Sequence, residues 1–242
     1  MGRKTPAPAD EWPARRVLSP VMNPWIAGVI AGCVATPVGV VLRARLRTEG
    51  HRYEDEVGTP TRSHAWVLIA LPVAALLIGH ALSVTHNAGV AFAYCVSLPV
   101  LVALAAIDLD VHRLPDKLTF PLVPLAIVIA AAASACTGEW FPLLRAVLAG
   151  LALGAAYLVL LLISPGGGGL GLGDVKLAVS LGVLLGWFSW YAVLVGTLSG
   201  FVLGGLWAAG LLISRRATRH SYIAFGPFML GGAIIALLVG GA

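Results

Sequence analysis

Charge is scarce in this sequence: Asp, Glu, Lys and Arg make up 11% of its 242 residues, against roughly 25% in an ordinary soluble domain. Together with a hydrophobic share of 59%, that deficit excludes a disordered chain and argues against a water-soluble globule. Cysteine is also rare. The three copies, Cys33, Cys95 and Cys136, stand in or beside apolar runs without a CxxC pair, which excludes a disulfide framework or a zinc site and reads as small buried hydrophobes. The six histidines show no metal-ligand spacing, so no metal and no cofactor is expected. The net charge of +5 does not suggest nucleic acid, because in so apolar a chain the basic residues set orientation in a membrane.

What is abundant is long apolar runs. About 20 such residues cross a bilayer core of ~30 Å, and the runs Trp25–Leu42, Ala65–Val84, Ala88–Ile107, Leu118–Cys136 and Phe141–Ile163 each suffice for one crossing. Leu177–Ile213 would make a single helix of ~55 Å, too long for one crossing. It is therefore expected to cross twice, turning at the aromatic cluster Trp187, Phe188, Trp190 and Tyr191, since such rings favour the headgroup level. Tyr222–Ala242 supplies the last crossing. The expected fold is all-α, a polytopic membrane bundle of about eight transmembrane helices. Residues 1–22, with four prolines and four basic residues, read as a disordered basic, proline-rich tail, and residues 23–64 as the first span with a short cytoplasmic loop.

Orientation follows from Lys and Arg. With the N-terminus outside, the cytoplasmic side holds Arg43, Arg45, Arg47, Arg52, Arg62, Arg113, Lys117, Lys176, Arg215, Arg216 and Arg219. The other side holds Arg3, Lys4, Arg15, Arg16 and Arg145, and a translation start at Met22 would remove all but the last of these. The excess marks the first group as cytoplasmic.

Against this background the acids at span ends stand out. Asp108 closes the third apolar run and Asp174 opens the sixth, both on the cytoplasmic side, where an ionised carboxylate needs water or a partner. Two carboxyls that meet do not ionise together easily, so one can accept a proton from water as the other donates to a carbonyl oxygen. The same acids could instead form the proton relay of a membrane transporter, or merely cap helices. Asp116, between Pro115 and Lys117, suits an N-cap, and Asp110 is expected to face water. Gly171 and Gly173, at the end of the GGGGLGLG run, would let an extended substrate backbone come close to Asp174. Lys176 reads as a headgroup anchor.

Three segments carry a resemblance. AIDLDVHRLPDKLTFP (Ala106–Pro121), GLGDVKL (Gly171–Leu177) and AFGPFMLGGA (Ala224–Ala233) resemble, in that order, motifs of the type IV prepilin peptidases, a GxGD family of intramembrane aspartyl peptidases. The similarity spans roughly residues 65–242, which would form the peptidase unit. It implies that Asp108, eight residues before the Asp of the LPD turn, and Asp174 of GLGD are the catalytic pair, with Pro115, Asp116 and Lys176 as parts of the motifs. It further implies a bacterial plasma (inner) membrane enzyme. Its site would face the cytoplasm and remove the leader of prepilin or pseudopilin substrates.

Presenilin-like proteases share GxGD but carry a Tyr-Asp pair, whereas Ile107 precedes Asp108 here. Many members of the resembled family carry two CxxC pairs in a cytoplasmic region and also methylate the new N-terminus. The segment Arg43–Arg62 has no cysteine, so the resemblance implies the peptidase activity and not the methyltransferase.

Overall fold

The structure is a computed structural model and describes residues 22–48, 50, 52, 63–163, 170–214 and 224–239. The expected tail up to residue 21 and the glycines 166–169 lie outside these residues. Every regular element among them is helical. Helix α1 covers Pro24–Arg47, and α2, after one 3-10 turn at His64–Trp66, covers Val67–Thr85. Then come α3 (Ala88–Cys95), α4 (Leu98–Val111), α5 (Asp116–Thr137) and α6 (Phe141–Ile163). The remaining three are α7 (Leu172–Gly186), α8 (Trp190–Ile213) and α9 (Gly226–Val239).

Six helical stretches are long and apolar enough to cross a membrane, α3 and α4 counting together as Ala88–Val111. The chain is thus a multi-pass membrane protein of all-α architecture. The third apolar run is broken at Val96–Ser97. Pro99 explains the break, since it has no N–H to continue the helical ladder and its ring crowds the carbonyl four residues back. The hydroxyl of Ser97 donates to the Tyr94 carbonyl at 2.7 Å and satisfies one acceptor freed there.

Neighbouring helices pair closely, α1 on α2, α6 on α7 and α8 on α9. Small residues permit this in lipid, where backbone approach replaces hydrophobic drive. At the α8–α9 contact a Cβ on Gly232 would collide with the carbonyl oxygen of Gly196. The core is centred on α4, whose residues Leu101–Asp108 are buried without interruption. The apolar side chains left exposed, such as Val34 of α1, Leu162 of α6 and Leu206 of α8, form the faces that meet lipid.

The turn between the sixth and seventh crossings falls at residues 187–189, inside the aromatic cluster. The cluster divides there. Trp190 and Tyr191 are exposed, whereas Trp187 is buried and its indole N–H donates to Oγ of Ser134 at 2.9 Å. The cysteines also differ from expectation: Cys33 and Cys136 are exposed and Cys95 is half-buried. Helical rotation turns the first two out of the bundle, and an apolar thiol tolerates that position in lipid.

Apart from α3 and α4, which together make one long stretch, two helices are short. At 1.5 Å per residue α7, with 15 residues, spans about 22 Å and α9, with 14, about 21 Å, against about 36 Å for the 24 residues of α8. Both short helices begin next to the carboxylates expected to act.

Candidate active site

Asp108 lies in the last turn of α4, three residues before its end. The helix stops because His112 adopts a left-handed conformation (φ 53°), with its N–H donating to the Asp108 carbonyl at 2.9 Å. The side chain turns into the bundle and is only 4% exposed. Its Oδ2 accepts the N–H of Gly226, the first residue of α9, at 2.8 Å. A helix N-terminus offers unpaired N–H groups and the positive end of the backbone dipole, which suits a carboxylate.

Asp174 is arranged in the same way. It is the third residue of α7, 8% exposed, and its Oδ2 accepts the N–H of the N-cap Gly171 at 2.8 Å. Asp174 thus opens this helix as expected, and the helix starts at Leu172, ahead of the apolar run from Leu177, because the Asp174 carboxylate caps it in place of a hydroxyl at the N-cap. Each carboxyl is therefore held by one oxygen at a helix N-terminus. The second oxygen of each has no hydrogen-bond partner among the described residues. A buried carboxyl with one oxygen left without a partner can exchange a proton with a water that reaches it.

Leu114 joins the three motifs. It is buried in the turn between α4 and α5, and a Cβ on Gly173 would come within 2.7 Å of its Cβ. A Cβ on Gly226 would meet Leu114 Cδ2 at 3.5 Å and Asp108 Oδ2 at 2.9 Å. Gly173 thus gives close approach to the chain's own turn. Gly171 is exposed, with its nearest surroundings 3.7 Å from where a Cβ would stand. Neither Leu114 nor Gly226 stood out from residue types, because a leucine and a glycine in apolar company carry no chemical signal. The position of Leu114 directly before the Pro-Asp turn was the one hint.

The other acids do different work. Asp116 is the first residue of α5 and not its N-cap, which is Pro115, whose side chain makes no capping bond. Its carboxylate instead accepts from Nζ of Lys176 at 2.6 Å, with that ammonium 4.1 Å from the centre of the Phe120 ring. Lys176 therefore ties α7 to α5 and is not a free headgroup anchor. Asp110, expected in water, has a side chain 1% exposed and is forked by Arg52 at 2.9–3.0 Å. Residue type and local spacing do not pair two side chains 58 residues apart. No group of three or more His, Cys, Asp or Glu side chains among the described residues could hold a metal ion.

The fold is that of a polytopic membrane protein with two buried carboxylates, each accepting one backbone N–H at the start of a helix. Residues 95–209 match the sequence model of the type IV leader peptidase family. The chain is 33% identical over 184 residues to a prepilin leader peptidase/N-methyltransferase of Aeromonas salmonicida, covering 74% of this chain and 59% of that protein. A protein of the same description from Burkholderia pseudomallei is 32% identical over 182 residues, or 72% and 54% of the two chains. This chain thus spans little more than half the length of these relatives, and no solved structure matches it. Through this region the chain is similar to the type IV leader peptidase family.

Proposed function

We propose that the protein is an intramembrane aspartic endopeptidase that removes the leader of prepilin-like or pseudopilin-like proteins, with Asp108 and Asp174 as its catalytic pair. The observation that carries this reading is the matched arrangement of the two acids, each with one oxygen fixed by a backbone N–H and one left without a partner. The family match and the relatives' names supply the substrate class.

In the proposed reaction one carboxyl is neutral and the other ionised. The ionised one takes a proton from a water held between them as the water oxygen attacks the scissile carbonyl carbon, and the neutral one protonates the carbonyl oxygen. The resulting gem-diol then collapses, its C–N bond breaking as the first carboxyl passes its proton to the amine nitrogen and the second regains one from the diol, which releases the leader. Water must reach the pair. The shortness of α7 and α9 favours this, since helices of ~21–22 Å do not fill a core of ~30 Å and leave room for water at one end. The Lys and Arg bias supports a cytoplasmic-facing site in a bacterial plasma membrane. Gly171 would leave space for an extended substrate backbone beside Asp174. Residues 65–242 form the peptidase unit in this reading.

The test is co-expression with a candidate prepilin in cells lacking other leader peptidases. The mature pilin should appear with the wild-type chain and not with Asp174→Asn. An unprocessed pilin together with Asp-dependent proton flux in vesicles would favour the relay of a transporter instead.

A further inference from the structure

Two residues at ~100° each place Asp108 and Asp110 ~200° apart around α4, on opposite sides of its last turn. The protein uses both sides. Asp108 is taken by the N-terminus of α9, whereas Asp110 is taken by Arg52, from the segment that joins α1 to α2. Nε of Arg52 donates to Oδ2 of Asp110 at 3.0 Å, and Nη2 donates to Oδ1 at 2.9 Å and Oδ2 at 3.0 Å. Both side chains are 1% exposed, and both have further partners.

A buried ion pair of this kind adds little net stability over a well-packed apolar pair, because dehydrating two charges offsets most of their attraction. What a forked guanidinium supplies is geometry, since it fixes both the distance and the plane of the carboxylate. The last turn of α4 has need of that. It ends one residue beyond Asp110 at Val111, and the left-handed His112 then breaks the ladder. Helix ends fray unless tied.

We propose that Arg52 and Asp110 form a clamp through which the α1–α2 segment sets the rotation of the last turn of α4 and so the aim of Asp108. Both are positioning residues. Within the Asp-Leu-Asp triplet the two acids divide the labour: Asp110 stays committed to its charge partner and Asp108 remains available for proton exchange. The proposal rests on the peptidase reading for its effect on turnover, but its structural half stands alone.

The full-length chain in lipid nanodiscs, with a synthetic leader-bearing prepilin, tests it. Asp110→Asn and Arg52→Gln should each lower kcat at least tenfold and leave KM within twofold. Arg52→Lys, which keeps the charge but not the fork, should fall between these and wild type. The double variant Arg52→Gln/Asp110→Asn should be no worse than the poorer single one, because a clamp is lost only once. Hydrogen exchange at the amides of residues 108–112 should rise in each variant, with α6 and α8 unchanged. Unchanged exchange at 108–112, a rise spread over the whole bundle, or wild-type kcat in the folded fraction overturns the clamp. If wild type itself fails to cleave, the peptidase reading falls and the exchange measurement still decides the clamp. Should Asp110→Asn not fold, Arg52→Lys carries the same comparison.

Discussion

The N–H of Gly226 donates to Oδ2 of Asp108 at 2.8 Å, and a Cβ on that glycine would stand 2.9 Å from the same oxygen. The first residue of α9 is therefore fitted to the carboxylate. Gly226→Ala should displace Asp108, costing about 1–3 kcal/mol as an overpacked site does and lowering leader cleavage at least tenfold. Thermal unfolding in detergent beside a cleavage assay would separate the two effects, and wild-type cleavage by the variant would show that the contact is dispensable.

The paired acids make the sharpest prediction. Asp108→Asn and Asp174→Asn should each reduce cleavage by about 10²-fold or more, the scale expected on removing a general acid or base. Both variants should still insert and run as monodisperse protein on size exclusion, because the amide can accept the same N–H bond from Gly226 or Gly171. Appreciable cleavage by either one would remove that acid from the mechanism.

Two glycines of one motif should fail differently. Gly173→Ala places a methyl 2.7 Å from Leu114 Cβ, so its unfolding midpoint should drop, with a cost of about 1–3 kcal/mol. Gly171→Ala meets nothing closer than 3.7 Å. Its stability should match wild type while its KM rises several-fold, if extended substrate lies there. A KM equal to wild type would move the substrate path away from Gly171.

The bridge from Lys176 to Asp116 is partly open to solvent, with side chains 25% and 64% exposed. Its coupling energy in a double-mutant cycle with Lys176→Met and Asp116→Asn should be no more than about 1 kcal/mol, as for other exposed pairs. The Phe120 ring beneath the ammonium adds a contact of about 0.5–1 kcal/mol. A much larger coupling would mean that the pair is dehydrated in the membrane.

Apolar periodicity and run length made the crossings legible, since a helix in lipid must satisfy its backbone within one continuous segment. The turn at 187–189 was legible for a related reason: 37 apolar residues cannot fit one crossing. The places of Asp108 near the end of α4 and Asp174 near the start of α7 were legible from where the apolar runs stop and start. The break before Pro99 was written in the proline but masked by the uniform hydropathy around it.

The sequence by itself determined the all-helical architecture and the long apolar crossings, because each depends on a stretch of neighbouring residues and the thickness of a bilayer. Only the tertiary structure decided what each acid faces. Asp108 and Asp110 have the same side chain, the same helix and the same depth to within a turn, yet one meets the first N–H of α9 and the other the guanidinium of Arg52. Which partner lies on which side of α4 is set by the packing of segments 58 and 118 residues away. No local property of the chain encodes it.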